Sequence, residues 1–246
     1  MLEDHGHRHK SEQVNKLFQK VLIFAEGKMS IVAHTGNVYP PEVVGPESMY
    51  ALIRDYGIIP FFENPIPGFS IEEHTSPQAW FTSDNLGPWD WKIACIQSGD
   101  IAYGKFLWGG KAAFATVEVY RELMNWRRAQ QKYRPGAEQA KVLEYLQEHG
   151  SVSVPEVRKL LGVKKSAADA LLGKLQQQAR LVTGDIQRVF AGADLHYSGW
   201  QRSSFCCPES LFEDLDFPFP GFTPRSLHSS LSPEESLAFV KETVLR

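Results

Sequence analysis

The spacing of apolar residues predicts two helices in the first quarter of the chain. One covers residues 12–24, and the other covers residues 47–56, where Pro46 suits a helix start and Gly57 suits a C-terminal cap. Residues 60–70 contain three prolines among phenylalanines. Because proline lacks a backbone donor, this stretch is predicted to be an ordered loop or the edge of a sheet.

Between residues 89 and 116 the apolar pattern changes to one that is typical of strands. The apolar segments are residues 91–96, 101–107 and 112–116. They are separated by Ser98-Gly99-Asp100 and by Gly109-Gly110, which predicts a three-stranded antiparallel meander. A helix is predicted to follow, with Thr116 as its N-cap and Arg127-Arg128 near its end, where cations suit the helix dipole.

Residues 137–190 contain three helix signals followed by a hairpin signal. The residues that mark helix ends are, in order, Gly150, the capping box of Ser153 and Glu156, and Gly162. The third helix covers residues 164–179, and Gly184-Asp185 is predicted to be the turn of the hairpin. This order is typical of a winged helix, whose third helix often enters the DNA major groove.

Together these elements predict an α+β protein with N-terminal helices and a small antiparallel sheet, a winged-helix module and a C-terminal helix. The predicted domains are a flexible N-terminus with the first helix (1–30), an α+β domain with the meander (31–135), the winged helix (136–205) and a tail with a docking helix (206–246). The last helix begins at Ser232-Pro233-Glu234-Glu235. Its apolar face must be covered by the body of the protein or by a second copy in a homo-oligomer.

Positive charge is concentrated in one part of the chain. The 246 residues carry a formal charge of −3, whereas residues 127–202 hold 13 lysines and arginines against seven acidic residues, a net of +6. A basic winged helix favours double-stranded DNA as its partner. The predicted contacts are Lys164, Lys165, Ser166, Lys174, Gln177, Arg180, Arg188 on the wing, and Arg202. Asp169 opposes this interpretation, and the alternative is a winged helix that packs against protein.

The sequence contains no motif for a cofactor or a metal. Of the three cysteines, Cys206 and Cys207 are adjacent and lack a second pair at zinc spacing, so reduced thiols in a cytoplasmic protein are expected. The three alternating histidines of residues 1–10 are interpreted as solvated rather than as ligands. The longest apolar run, residues 21–25, is too short to cross a bilayer, so no membrane association is expected.

Four motifs carry a resemblance to a known family. They are Gly87-Pro88-Trp89-Asp90-Trp91-Lys92, Tyr103-Gly104-Lys105-Phe106, Asn125-Trp126-Arg127-Arg128 and Gly199-Trp200-Gln201-Arg202-Ser203-Ser204-Phe205. Residues 49–212 thereby resemble a bacterial family called AlkZ-related. The resemblance implies distant kinship with winged-helix DNA glycosylases that excise alkylated bases and unhook crosslinks. Those enzymes use a Gln-x-Gln motif near the base, whereas the comparable residues 58–63 of this chain contain no glutamine.

Two segments near the predicted winged helix are interpreted mainly as structural. Gln176-Gln177-Gln178 contains a Gln-x-Gln pattern, but it lies at the end of the third helix, so the glycosylase role is not transferred to it. Trp200-Gln201-Arg202 can contact a DNA strand by stacking and hydrogen bonding, or it can hold the wing against the preceding domain. The second role is preferred.

Glu63 and Glu72 are the candidate catalytic carboxylates, because they lie in the aromatic-rich middle of the chain, where a flipped base would be held. The same aromatic residues also suit a simple core. The sequence therefore predicts a DNA-binding protein related to repair glycosylases but without their motif. The alternatives are an active glycosylase on alkylated or crosslinked bases and a scaffold that binds other proteins. Whether the chain is an enzyme stays open.

Overall fold

The computed structural model describes residues 42–82, 86–107, 110–213 and 223–245, which include eight α-helices and two three-stranded antiparallel sheets. The helices are α1 (Pro46–Tyr56), α2 (Pro88–Gln97), α3 (Val117–Arg128), α4 (Ala137–His149), α5 (Val154–Leu161), α6 (Lys165–Gln177), α7 (Pro208–Phe212) and α8 (Pro233–Leu245). The strands are β1 (Ile58–Pro60), β2 (Ile101–Gly104), β3 (Ala113–Thr116), β4 (Ser151–Ser153), β5 (Val182–Ala191) and β6 (His196–Cys206). The helix predicted at residues 12–24, the N-terminal histidines and residues 214–222 of the predicted tail lie outside the described residues.

β3 is the central strand of the first sheet, with β1 on one side and β2 on the other. Ile58 lies opposite Ala115, and Ile101 lies opposite Thr116, so both pairings are antiparallel. Pro60 ends the edge strand β1, a position where proline is tolerated. The sheet edge predicted near this proline is therefore confirmed. Thr116 also caps α3 as predicted, accepting the N–H of Val119 at 3.4 Å.

The predicted meander is wrong in one strand, because residues 91–96 lie in α2 and β1 supplies the third strand. α2 buries Trp91, Ile93 and Ile96, which point in different directions around the helix. A short element that is apolar on all sides shows no helical period, so periodicity cannot distinguish it from a buried strand. Pro88 in the first turn was the available sign of a helix start.

The predicted order of three helices and a hairpin is present, with one strand added. β4 follows α4, α5 and α6 come next, and β5 and β6 form the hairpin, with the strands arranged β4-β6-β5. The predicted helix ends at Gly150 and Gly162 are confirmed. The capping box is confirmed as well, because the carboxylate of Glu156 accepts the N–H of Ser153 at 2.7 Å.

The turn of the hairpin does not lie at Gly184-Asp185, where it was predicted. β5 continues through these residues, and the chain turns at residues 192–195 instead. The register shifts between Thr183 and Asp185, so Gly184 lies in a β-bulge. A Cβ at this position would be 2.7 Å from the Sγ of Cys206. The glycine therefore permits the close approach of two strands rather than a reversal of the chain.

Three clusters of buried apolar residues hold the elements together. One lies between α1, α2 and the first sheet, and another fills the space enclosed by α4, α5 and α6. The remaining cluster joins α3 to α8 and includes Ala179, Val182 and Cys206. Ala179, Val182 and Cys206 belong to the segment that runs from α4 to β6, which we call the helix–hairpin segment. This cluster therefore packs the helix–hairpin segment directly against α3.

The apolar face of α8 is covered within the chain. α8 packs along α3, where Val240 is buried. Glu122 of α3 accepts a hydrogen bond from the hydroxyl of Ser236 at 2.6 Å, and Asn125 donates to the same hydroxyl at 2.9 Å. The alternative prediction was that a second copy of the chain covers this face in a homo-oligomer. A second copy is not needed to bury it.

Candidate nucleic-acid interface

The N-terminal half of α6 presents an exposed surface. Lys164 precedes the helix, Lys165 and Ser166 begin it, and all three are exposed. Ala170 and Lys174 follow Ser166 at intervals of four residues, so they lie on the same face, and both are exposed. This face therefore combines two small side chains, at 166 and 170, with the exposed Lys174.

Gln177, the last residue of α6, and Arg180, which follows the helix, are only partly exposed. Gln177 packs near Gly110, where an added Cβ would be 3.4 Å from its Nε2 atom. Arg180 is half-buried, and its Nε has no hydrogen-bond partner among the described residues. Burial lowers the pKa of Arg180, and the charge of Arg128 adds to the effect. The rest of the protein therefore partly covers the chain at and just after the end of α6.

Arg188 and Arg202 lie on neighbouring rungs of the hairpin but in different environments. The Nε and Nη2 atoms of Arg188 donate to the carboxylate of Asp90 in α2, at 2.9 and 2.7 Å, and these hydrogen bonds raise the pKa of Arg188. Arg202 lies opposite Gln187, is exposed, and forms no ion pair within the described residues. Arg202 is therefore available to an external anion, whereas Arg188 holds the hairpin to α2.

Two of the family-like motifs meet where the hairpin contacts α2. Trp89 donates its Nε1 hydrogen to the carbonyl oxygen of Gly199 at 2.9 Å, and Gln201 donates to the carbonyl oxygen of Trp89 at 3.1 Å. The hydroxyl of Tyr197 donates to Asp90 at 3.1 Å. The structural role preferred for the segment around Gln201 is confirmed for that residue, because its amide holds the hairpin against α2.

Trp200 lies between these anchored residues and is 74% exposed. Residues 198–200 form a bulge in β6, because Arg188 pairs with Gln201 while Phe190 pairs with Tyr197. Gly199 takes the left-handed backbone conformation, with φ of +87°. The bulge thus presents a large aromatic ring to solvent from a strand that is held in place on both sides.

The two candidate catalytic carboxylates do not converge on an open site. Glu72 accepts the backbone N–H of Glu63 at 2.7 Å, and Lys111 donates to the backbone carbonyl of Glu63 at 2.8 Å. Phe61 and Phe69 lie in a core, in which Phe61 contacts the ring of Trp80 edge-on, whereas Phe62 is 40% exposed. Glu72 therefore stabilises the local backbone, and the aromatic cluster packs as a core.

A polar cavity of about 140 Å³ lies between α6, the first sheet and the hairpin. Asp169, the residue that opposed the interpretation of α6 as a DNA-contacting helix, lines this cavity, as do Gln176 and Lys105. Gln176 accepts the backbone N–H of Lys105 at 2.8 Å through its Oε1. Gly104 makes this contact possible, because a Cβ there would be 2.7 Å from the same oxygen.

Lys92 is a buried cation that the sequence interpretation did not single out. It is 2% exposed, and its Nζ donates to the carbonyl oxygen of Trp89 at 2.7 Å. The same nitrogen lies 3.3 Å from the centroid of the Trp89 ring. Burial lowers the pKa of Lys92 to about 7. The sequence indicates this buried lysine only by its position inside the apolar run of residues 91–96, which is predicted to be a strand.

No metal or membrane feature accompanies these sites. In residues 42–82, 86–107, 110–213 and 223–245, no group of three or more histidine, cysteine or acidic side chains is close enough together to hold a metal ion. The cysteines are free thiols, and burial raises the pKa of both Cys95 and Cys206 to about 12, which disfavours the reactive thiolate. None of the helices in that part of the chain has the length and apolar character needed to cross a membrane.

The described residues define a mixed α/β protein in which a helix–hairpin segment docks onto a small antiparallel sheet. The model of the family described as AlkZ related matches residues 43–245, so the chain belongs to the AlkZ-related family. The resemblance seen in the sequence is thereby confirmed. A comparison with curated proteins finds no match, and a comparison with solved structures finds none either.

Proposed function

We propose that residues 137–206 form a winged helix and that the protein binds duplex DNA with it. The supporting observation is the order α4, β4, α5, α6, β5, β6 together with the strand arrangement β4-β6-β5. In a winged helix the third helix enters the major groove and the hairpin forms the wing. In the proposed winged helix, α6 is the third helix and the β5–β6 hairpin is the wing. The N-terminal half of α6 is exposed.

The proposed phosphate contacts are those predicted cations that the protein leaves unpaired. They are Lys164, Lys165 and Lys174 of the α6 region and Arg202 of the hairpin, with the hydroxyl of Ser166 as a further donor. The three other predicted contacts, Gln177, Arg180 and Arg188, are left out because protein groups already surround them. Exposed lysines that neutralise phosphates release counterions, so binding should weaken as salt rises.

A double charge reversal tests the α6 surface. Lys164→Glu combined with Lys165→Glu is expected to abolish measurable duplex binding at low salt, because two phosphate contacts become repulsive. Lys141→Glu with Lys241→Glu is the matched control, since it changes the net charge equally on α4 and α8. Fluorescence anisotropy across a salt series gives the affinities, and the control is expected to keep nearly the wild-type salt slope. A wild-type protein without any salt-sensitive binding would refute the proposal.

The two hairpin arginines offer a second test with a built-in comparison. Arg202→Ala is expected to weaken duplex binding severalfold and to lower the salt slope by about 1, because it removes one phosphate contact. Arg188→Ala is expected to speed amide hydrogen exchange in β5 and β6, because it removes the contact with Asp90. Exchange measured by mass spectrometry and DNA binding by anisotropy separate the two effects. Equal exchange profiles in both variants would contradict the assigned roles.

The AlkZ-related family supports a role in DNA repair, and a cytoplasmic location goes with that role. The proposal does not include glycosylase activity, because Glu72 hydrogen-bonds the backbone and the aromatic cluster beside it is packed as a core. A base-release assay on alkylated duplexes tests this choice. Release that depends on Glu63 or Glu72 would favour the glycosylase alternative, whereas binding of partners that survives high salt and needs α8 would favour a scaffold.

A further inference from the structure

The cavity beside α6 is built by parts of the chain that are far apart in sequence. Tyr103 and Lys105 come from the end of β2 and the residue after it, Asp169 and Gln176 from α6, and Ser203 from β6. The hydrogen bond from the backbone of Lys105 to Gln176 joins the first sheet to α6 across the cavity. Elements that the fold already joins thus line the cavity, which lowers the cost of ordering them around a ligand.

Several polar side chains around this cavity have no partner within the described residues. Thr183 is 3% exposed and Tyr103 is 9% exposed, so both residues are largely buried. Within the described residues, no hydrogen bond is formed by the hydroxyls of Tyr103, Thr183 and Ser203 or by the carboxylate of Asp169. These four side chains therefore leave hydrogen-bonding groups at the cavity that a polar ligand can use.

The size of the cavity suits a ligand that inserts a small ring. Its volume is about 140 Å³, and an engineered cavity of about 150 Å³ takes up one benzene ring. Tyr103 and Phe205 supply aromatic walls and Leu172 an aliphatic one. Flat apolar walls with polar groups between them suit a six-membered heteroaromatic ring better than a sugar or a phosphate.

The polar groups restrict which ring fits. Carboxylate oxygens accept hydrogen bonds, so Asp169 suits an N–H donor on the ligand, whereas the hydroxyls of Tyr103, Thr183 and Ser203 can donate. Cytosine carries an exocyclic amine next to a ring nitrogen and a carbonyl oxygen, and acidic side chains pair with that amine. Thymine and uracil place a carbonyl oxygen where the amine would be, so they would face Asp169 with an acceptor.

Cations lie beside the cavity. Lys165 precedes Asp169 by four residues on α6, so the two side chains emerge from the same helix face. Lys105 lines the cavity and is exposed, with its Cδ 4.0 Å from the position of a Cβ on Gly173. A nucleotide whose base entered the cavity would thus bring its phosphate towards positive charge.

We propose that this cavity binds one unstacked nucleobase of the cytosine type, with Asp169 accepting a hydrogen bond from the exocyclic amine. Delivery of the base by DNA rests on the DNA-binding function proposed above, whereas binding of a free nucleoside does not. Lys105 and Lys165 attract the phosphate of the same nucleotide. This proposal gives Asp169 a function in the basic helix α6. Lys105 and Lys165 attract the nucleotide, and Asp169 selects its base.

Free nucleosides test the cavity without DNA. Cytidine and uridine are compared by ligand-observed NMR on the full chain, with Asp169→Asn as the test variant and the exposed Asp55→Asn as a control of equal charge change. The wild type and Asp55→Asn are expected to bind cytidine about tenfold more tightly than uridine. Asp169→Asn is expected to lose this preference while its circular dichroism spectrum stays native. Cytidine that fails to bind the folded wild type, or a preference that survives Asp169→Asn, overturns the proposal.

Three duplex probes test whether DNA delivers a base to the cavity. Each has one central defect, which is an unpaired cytosine, an unpaired thymine or an abasic site. The wild type is expected to favour the unpaired cytosine over the abasic site severalfold, and Asp169→Asn is expected to bind all three probes equally. Duplex binding with no cytosine preference in either assay overturns the cavity proposal and leaves the proposed DNA binding intact. Cytidine binding without any duplex binding supports the cavity and refutes the DNA-binding proposal.

Discussion

Gly87→Ala is expected to lower the free energy of unfolding by about 3 kcal/mol or more, although it adds a single methyl group. Gly87 has φ of +62°, and an added Cβ would lie 2.1 Å from the carbonyl oxygen of Ala79. Because the obstructing atom belongs to the backbone, no side-chain rotation can relieve the clash. Urea denaturation followed by tryptophan fluorescence measures the loss.

Gly68→Ala is the matched control for this prediction. Gly68 also has a positive φ, +71°, but no atom lies within 4 Å of an added Cβ. It is therefore expected to cost only the backbone strain, about 1 kcal/mol. Equal losses in the two variants would show that the contact with Ala79 is not what requires a glycine at position 87.

The position of Gly87 explains why a motif begins there. It precedes Pro88, the first residue of α2, so its close packing on Ala79 determines where α2 starts. Trp89 and Asp90 in the first turn of that helix then hydrogen-bond the hairpin. A displaced helix start would break these contacts together, so Gly87→Ala is also expected to loosen the proposed wing.

Several helix ends of the chain were predictable from local signals. The capping box of Ser153 and Glu156, the glycines at 150 and 162 and the N-cap Thr116 each act within one helical turn, so the sequence alone contains all the groups involved. The same holds for the edge position of Pro60, because a missing N–H is a property of the residue itself.

The errors arose where distant parts of the chain decide the structure. α2 was mistaken for a strand because it is buried on several sides, and burial depends on α1 and the first sheet. Gly184 was mistaken for a turn because the atom that it accommodates, the Sγ of Cys206, lies 22 residues further along. In both cases the local sequence pattern is present, but a tertiary contact determines which structure the segment adopts.

The candidate site shows the same division between local and distant information. Net positive charge in residues 127–202 could be counted from the sequence, but which cations are free could not. Arg188 is paired with Asp90, which is 98 residues away, and Arg128 is paired with Glu209, which is 81 residues away. Lys164 and Lys165 stay exposed because they start a helix at the surface. The cavity, assembled from β2, α6 and the hairpin, had no local signal.

Lys92→Met is expected to stabilise the protein at neutral pH by about 2 kcal/mol. Burial lowers the pKa of Lys92 from 10.5 to about 7, which corresponds to roughly 4–5 kcal/mol of destabilisation when the amine is charged in both states. Loss of the contact between Nζ and the Trp89 ring offsets part of the gain, because a buried cation–π contact contributes about 2 kcal/mol. Methionine has a similar length and needs no hydrogen-bond partner.

The dependence on pH identifies the cause of this gain. Below pH 7 the folded and unfolded chains both hold the proton on Lys92, so the wild type bears the full destabilisation. Between about pH 7 and 10.5 the folded chain has released the proton while the unfolded chain keeps it, so wild-type stability rises with pH relative to Lys92→Met. Urea unfolding of both proteins at pH 6, 8 and 10 measures the difference, with the exposed Lys141→Met as the control that shows no such trend. A gain of equal size at all three values would mean that packing, and not the buried charge, is responsible.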